Sequence, residues 1–173
     1  QAEEITIASH PITDIFKLTP IELNKMKQDQ LNNYAKDIIS KFYSLLSRVG
    51  SKNGEIGGTP NMSYPDAEEV VKQHLDDNVL ILSARYSIPF TKQTYKPSDY
   101  DEFLISDIHA THPSKDVLVV RYNIKAHNRV QLDEGLVFSG EQMPRISAFI
   151  WNGINSGWQL ISHADFDYPS AAI

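Results

Sequence analysis

The sequence predicts an α+β domain in which a long helix and a shorter one precede a strongly curved, mainly antiparallel sheet. Two observations support this class. Apolar residues recur every three or four positions as far as Gly50, and apolar and polar residues alternate, with many β-branched and aromatic side chains, from Asn78 onward. Helices that come first, followed by strands, favour a sheet that wraps the long helix. We expect one domain over 19–169, after a lead of 1–18 and before a tail of 170–173.

Composition and charge exclude several classes of partner. The 173 residues suffice for one core, and no apolar run is long enough to span a bilayer. The net charge of −6, without a cluster of basic residues, argues against nucleic acid. The absence of cysteine removes disulfides and thiolate chemistry, and a cysteine-free chain fits an exported and a cytoplasmic location equally well.

The helices have clear start signals. "TPIE" at Thr19–Glu22 has the spacing of a capping box with proline at the first helical position, so we expect one helix from Thr19 to Gly50. Its apolar side is Leu23, Met26, Leu31, Tyr34, Ile38, Phe42, Leu45 and Val49. The segment 50–63 is predicted to be a loop, and Ser63 is predicted to cap a second helix that ends near Leu75.

Five strands follow in the prediction, and two short turns connect four of them. The turns are "HPSKD" at 112–116 and "NGINSG" at 152–157, and a polar excursion covers 128–144. A curled sheet with a helix on its concave side leaves a cone-shaped space of the kind that binds small molecules. The predicted strands are 79–90, 103–112, 117–127, 145–152 and 157–167.

Two long stretches resemble one superfamily. "FLISDIHATHPSKDVLVVRYNIKA" (103–126) and "PRISAFIWNGINSGWQLISHADFDYP" (144–169) are similar to the paired strands and the closing hairpin of uncharacterised bacterial nuclear transport factor 2-like proteins. Asp165 and Asp167 depart from the amide expected after the His-Ala pair, and the helices match in order only. The positions that carry the resemblance are Arg145, Trp151, Trp158, His163 and Phe166.

The resemblance implies a fold and a cavity, but no single reaction. The superfamily includes ketosteroid isomerase, scytalone dehydratase, small polyketide cyclases and the association domain of a calmodulin-dependent kinase, and its members are commonly dimers. It therefore implies a cone-shaped fold that can carry binding, catalysis or assembly.

His163 and Asp165 are the candidate catalytic pair. Two residues apart on one strand, their Cβ atoms lie about 6.5–7 Å apart, which permits a side-chain hydrogen bond if both side chains lean inward. Such a histidine can act as a general base, with the carboxylate fixing its tautomer. The alternative is a strand end that faces solvent or a second subunit, and we favour this alternative because polar side chains are mostly exposed.

Alternation along the other strands supports that alternative. Polar residues share one face of each of three earlier strands, which is typical of the convex outside of a sheet. By the same alternation, His163 is expected on the convex outer face of the sheet, unless a β-bulge shifts the register of the last strand. The residues concerned are Ser83, Arg85, Ser87, Asp107, His109, Arg121, Asn123, Lys125 and His127.

Four further residues are candidates for ligand binding. The phenols of Tyr34, Tyr86 and Tyr122 can donate to a carbonyl or an enolate, although most such tyrosines are core residues. Arg145 can pair with an anionic ligand at the mouth of the cavity, and an ion pair with Asp165 is the alternative we favour.

The strand 145–152 is apolar on both faces. One face carries Ile146, Ala148 and Ile150, and the other carries Ser147, Phe149 and Trp151. A sheet face that is still apolar opposite the helix predicts a homodimer. The alternative is that Trp151 packs under the 128–144 excursion.

The sequence therefore predicts a protein that binds a small apolar or aromatic molecule, with no cofactor and no metal. "HATH" at 109–112 places its two histidines on opposite faces of a strand, where they cannot share an ion. The alternatives are a cofactor-free isomerase, dehydratase or cyclase that uses His163 and Asp165 with Tyr86 or Tyr122, and a dimerisation or assembly module.

Overall fold

The structure is a computed structural model, and it describes residues 14–50, 69–83, 87–95, 102–127 and 143–166. Several predicted features fall outside these ranges: the loop after Gly50, the Ser63 cap, Arg85, Tyr86, Asp167, the polar excursion over 128–142 and the C-terminal tail. No helix in the described ranges is both long enough and apolar enough to cross a membrane.

The N-terminal helix is interrupted, so the prediction of one continuous helix is wrong. The capping box forms as predicted, since Thr19 and Glu22 each bond the other's backbone N–H, but α1 covers only Pro20–Asn24. The α2 helix covers Gln28–Gly50. Between them the Lys25 N–H bonds back to the Glu22 carbonyl, while the Lys27 N–H is accepted by the side chain of Gln30. The side chain of Gln30 therefore caps the N-terminus of α2, which begins as a separate helix.

The apolar side of α2 is the predicted one. Leu31, Tyr34, Ile38, Phe42 and Leu45 are all buried. They pack on the inner face of the sheet, and the Phe42 ring meets the Phe149 ring edge-on at 6.4 Å. The core lies between this helix and the sheet.

Within the described ranges, five strands form one sheet in the order β1-β5-β4-β3-β2. Their bounds are β1 Leu75–Leu82, β2 Glu102–Ser114, β3 Val117–His127, β4 Met143–Trp151 and β5 Trp158–Asp165. From β2 to β5 the strands form the predicted antiparallel meander, and both predicted turns are present. The α+β class and the curled, mainly antiparallel sheet are confirmed.

The first strand differs from its prediction in position and in pairing. Leu75 was expected at the end of a helix but begins β1, and the strand ends at Leu82 instead of residue 90. It pairs in parallel with β5, and an isolated antiparallel bridge joins Ile81 to Phe90. A parallel partner more than seventy residues away leaves no local signal in the sequence.

The segment before α1 belongs to the same core. Residues Ile15–Lys17 form a 3-10 helix that places the Phe16 side chain in the core, where Leu18 is also buried. The Trp158 indole N–H donates to the Leu18 carbonyl at 2.6 Å. This hydrogen bond attaches the segment to the start of β5.

Candidate functional site

Polar side chains meet on the inner face of the sheet where β4 begins and β5 ends. Arg145 lies opposite Asp165 and Ser147 lies opposite His163, while Tyr122 on β3 is the neighbour of Arg145. We call these five residues the inner-face cluster. Apolar residues of the core continue the same face toward the turn between β4 and β5, including Phe149 and Leu160.

A β-bulge in the last strand creates this cluster. Phe149 pairs with Leu160, yet the next residue, Ala148, pairs with Ser162, so Ile161 is the extra residue in β5. The bulge shifts the alternation by one position, and His163 therefore shares the inner face with Leu160. The prediction that His163 lies on the convex outside is wrong, and the stated exception, a bulge, is what occurs.

On β2 and β3 the predicted outer face is present, whereas β1 ends at Leu82 with Leu80 and Leu82 exposed, so the polar outer face predicted to begin at Ser83 is not found there. Asp107, His109 and Arg121 are exposed, and the alternation along β3 buries Tyr122 on the inner side. Asn123 lies on the outer side but is nearly buried, and its amide donates to the Asp107 carboxylate at 2.8 Å.

Asp165 bonds to both His163 and Arg145. His163 Nε2 lies 2.5 Å from Asp165 Oδ1, and Arg145 Nε lies 2.9 Å from the same oxygen. The side chains of Arg145, His163 and Asp165 are only 5%, 12% and 19% exposed, so water screens this ion pair weakly. The predicted hydrogen bond between His163 and Asp165 and the predicted ion pair between Arg145 and Asp165 are both present.

The second ring nitrogen of His163 is also engaged. Ser147 Oγ lies 2.8 Å from His163 Nδ1, and the Tyr122 hydroxyl lies 2.9 Å from Ser147 Oγ. Burial raises the pKa of the Tyr122 phenol, and its hydrogen bonds to Ser147 and Tyr43 offset only part of that rise. Tyr122 is therefore a neutral phenol that can donate one hydrogen bond and accept another.

Tyr34 lies away from the cluster. Its hydroxyl donates to the Ile15 carbonyl at 2.6 Å, and burial raises the pKa of this phenol. The side chain thus attaches α2 to the 3-10 segment and is not part of the inner-face cluster. Tyr86 lies outside the described residues.

The two histidines of "HATH" take different positions. His109 is exposed, whereas the His112 ring contacts Trp158 edge-on, with His112 Nδ1 2.8 Å from the Val117 carbonyl. Within the described ranges, no group of three or more metal-ligating side chains comes together.

Two members of the polar network were missed as site residues from the sequence. Ser147 belongs to the cluster, and the Tyr43 hydroxyl lies 3.0 Å from that of Tyr122. If β4 and β5 are paired from the 152–157 turn without a bulge, Ser147 lies opposite Ser162. The contact of Ser147 with His163 is therefore not expected from the sequence. Tyr43 lies one turn of α2 after Ile39, and this position in the helical pattern is that of an ordinary core residue.

Comparison with known proteins identifies the fold. No protein-family model matches the chain, and no curated protein sequence matches it significantly. Among solved structures, a nuclear transport factor 2-like protein of unknown function from Pseudomonas aeruginosa matches with a TM-score of 0.52 at 8% identity, over 78% of this chain and 98% of that one. A second, from Rhodospirillum rubrum and described as of unknown function in nutrient uptake, matches with a TM-score of 0.51 at 15% identity, over 77% and 98%.

An enzyme structure shares the same fold. A chain of naphthalene 1,2-dioxygenase, from a structure with indole bound in the active site, matches with a TM-score of 0.52 at 13% identity, over 84% of this chain and 82% of that one. These likenesses confirm the fold expected from the resemblance: the chain has the nuclear transport factor 2-like fold. At such low identities they do not extend to its activity.

Proposed function

We propose that the protein binds a small, largely apolar molecule on the concave side of the sheet, with the polar group of the ligand held by the inner-face cluster. The observation that carries this proposal is the ion pair of Arg145 with Asp165, nearly buried beside His163 on the face that otherwise forms the apolar core. A few convergent polar groups at the edge of an apolar surface are the usual composition of a small-molecule site.

The arrangement of Arg145 supports a ligand with an acceptor oxygen. Within the described ranges, its acceptors are the Asp165 carboxylate, bound by Nε, and the Pro144 carbonyl, 3.4 Å from Nη1. A guanidinium carries five N–H donors in a planar fork, so this side chain can still donate to a carbonyl or a carboxylate.

Thermal shift and calorimetric titration test the proposal with a set of aromatic carboxylates and their matched methyl ketones. We expect at least one series to raise the melting temperature of the wild type, and Arg145→Gln to weaken its binding about tenfold or more. Arg121→Gln is the matched control, because Arg121 is an exposed arginine on the outer face of the neighbouring strand. Equal affinities in both variants, or no binding by the wild type, would overturn the proposal.

A cofactor-free enzyme is the second candidate, favoured by the short contact between His163 and Asp165. In an isomerase, dehydratase or cyclase, His163 would move a proton while Tyr122 stabilises developing negative charge. We place binding first because both ring nitrogens of His163 already have partners, at Ser147 and Asp165. Turnover of a bound ketone that is lost in His163→Gln, with binding retained, would establish the enzyme instead.

We also propose that the protein pairs with a second copy through the outer face of the sheet. Leu82, Ala164 and Ile146 lie side by side across β1, β5 and β4, and Leu80 precedes Leu82 on the same face. Leu80, Leu82 and Ile146 are 46%, 48% and 39% exposed. These four side chains carry no charge, which favours contact between two copies of a chain of net charge −6, and Arg121 on β3 is the cross-strand neighbour of Ile146 at the edge of the patch.

Sedimentation velocity separates the dimer from the monomer. Leu82→Lys is expected to give a monomer. Leu104→Lys, which changes another exposed leucine on the far edge strand β2, is expected to leave the dimer intact. A monomeric wild type, or a dimeric Leu82→Lys, would contradict pairing through this face.

A further inference from the structure

One carboxylate oxygen receives hydrogen bonds from two different strands. Asp165 Oδ1 lies 2.5 Å from His163 Nε2 on β5 and 2.9 Å from Arg145 Nε on β4. Because both contacts use the same oxygen, a group that fixes this oxygen from the histidine side also fixes the direction of the Arg145 Nε–H. The Nη groups of Arg145 are then left for a ligand.

The ring of His163 is engaged at both of its nitrogens. Ser147 Oγ lies 2.8 Å from Nδ1, and Nε2 makes the contact with Asp165. A half-turn of the ring would replace both nitrogens by carbons at these contacts, so one ring orientation is favoured. Ser147 is itself buried, and its oxygen lies 2.9 Å from the Tyr122 hydroxyl. The ring is therefore attached to side chains of the neighbouring strands.

These contacts do not depend on the charge of His163. Asp165 is paired with Arg145 and accepts hydrogen bonds as a carboxylate, so Nε2 carries a hydrogen in the neutral ring and in the protonated ring alike. Ser147 can donate to a bare Nδ1 and accept from a protonated one, because a hydroxyl does both. The hydrogen bond from His163 to Asp165 is therefore present in either state.

The contact with Asp165 is the main constraint on the guanidinium. In the described ranges, the other acceptor of Arg145 is the Pro144 carbonyl, and its distance of 3.4 Å from Nη1 is long for a hydrogen bond. The side chain of Arg145 is only 5% exposed, so water contributes little to its orientation. The orientation of Arg145 is thus set mainly by the position of Asp165 Oδ1.

We propose that His163 and Ser147 are positioning residues for Arg145, which hold its guanidinium in the orientation that receives a ligand. They act through the shared oxygen of Asp165. An arginine that is already fixed loses less side-chain freedom when a ligand binds. The ligand part of this inference rests on the proposed function, whereas the fixed orientation of Arg145 is a property of the free protein.

Hydrogen exchange of the Arg145 Nε–H, measured by 15N NMR in the free protein, tests the positioning. His163→Leu removes the donor to Asp165, so this exchange is expected to become about tenfold faster while the exchange of the β4 backbone amides stays unchanged. His163→Gln keeps an N–H that can reach Asp165 and is expected to keep the exchange slow. Ser162→Ala is the matched control, because Ser162 is exposed on the outer face, and it is expected to change nothing.

Ser147→Ala gives the same test if His163→Leu does not fold. The His163 ring then loses its contact on β4 and keeps its donor to Asp165, so exchange at Arg145 is expected to be about threefold faster. Unchanged exchange at Arg145 in these variants would overturn the positioning. Slower exchange would overturn it as well, because it would show that His163 competes with Arg145 for the oxygen.

Titration calorimetry with benzoate and with acetophenone, its matched methyl ketone, tests the ligand part. His163→Leu is expected to weaken binding of the tighter of the two about two- to tenfold, and to cause no further loss in a protein that already carries Arg145→Gln. An equal loss with and without Arg145 would show that His163 acts independently of the arginine and would overturn the inference. If neither compound binds the wild type, the proposed function fails for both compounds, while the exchange rates at Arg145 still decide the positioning.

Discussion

The two ends of the β4–β5 hairpin are built differently. At the turn end, the Trp151 and Trp158 rings pack 5.5 Å apart and the Trp158 N–H reaches the backbone carbonyl of Leu18. At the open end, Arg145 and Asp165 face each other and their hydrogen bonds are made largely with other side chains.

We infer from this difference that the turn end mainly stabilises the fold and that the open end mainly serves binding. A side chain bonded to the backbone of another segment holds that segment in place, and its loss leaves a buried carbonyl without a donor. Side chains bonded to one another can change direction or admit a ligand without moving the backbone. We therefore expect changes at the turn end to lower stability and changes at the open end to alter binding.

The largest expected effect is that of Gly157→Ala at the turn end. Gly157 has φ +68°, and a Cβ there would collide with the backbone carbonyl of Phe16. The variant combines a left-handed conformation with a backbone clash, so we expect a loss of about 3 kcal/mol or more in the free energy of unfolding.

Gly153→Ala is the matched control for that variant. Gly153 in the same turn has φ +88°, but a Cβ there meets nothing within 4 Å. Urea unfolding is expected to show a loss of only about 1–2 kcal/mol for Gly153→Ala. Similar losses in the two variants would contradict the close approach of the turn to the Phe16 carbonyl.

Trp158→Phe is expected to have the next largest effect. The variant removes the N–H that donates to the buried Leu18 carbonyl and reduces the volume of a fully buried side chain. We expect a loss of about 2 kcal/mol in unfolding free energy, with ligand affinity unchanged because the inner-face cluster is untouched. A Trp158→Phe protein that keeps its stability but loses binding would reverse the assignment of the two ends.

A smaller effect is expected of His74 on the change of unfolding free energy with pH. His74 lies near the turn end, with its ring 4.2 Å from that of Phe16. Burial lowers the pKa of His74 below its ordinary value of 6.5, partly opposed by Asp14 and reinforced by Lys41. The folded state therefore binds the proton less readily than the unfolded chain. Its contribution to stability is fully present above pH 6.5 and is lost as the pH falls toward the lower folded value.

His74→Gln tests that contribution. Between pH 7 and pH 5, the unfolding free energy of the wild type is expected to fall more steeply with acidification than that of His74→Gln. Parallel curves for the two proteins would show that His74 titrates alike in the folded and the unfolded chain.

Local sequence patterns predicted most of the fold. The capping box at Thr19, the apolar side of α2 and the turn at 152–157 each depend on residues within a few positions of one another, and all are present. Features set by distant parts of the chain were missed. The parallel pairing of β1 with β5 is one of these, and it arises only once the sheet has assembled.

Four residues of the inner-face cluster, Arg145, His163, Asp165 and Tyr122, were named from the sequence, whereas Ser147 and the face on which His163 lies were not. His163, Asp165 and Arg145 were identified from their residue types and from the likeness of the closing hairpin. Their orientation depends on the extra residue at Ile161, which is an ordinary strand former with no bulge signature. Alternation alone therefore placed the histidine on the wrong face.

Nuclear Overhauser contacts of the His163 ring test most directly whether the bulge at Ile161 turns this side chain into the concave face. We expect cross-peaks from its ring protons to the β-protons of Ser147 and to the ring of Tyr122. Cross-peaks instead to Leu82 and Ile146, two exposed residues of the outer face, would show that the histidine points outward and would contradict the binding site.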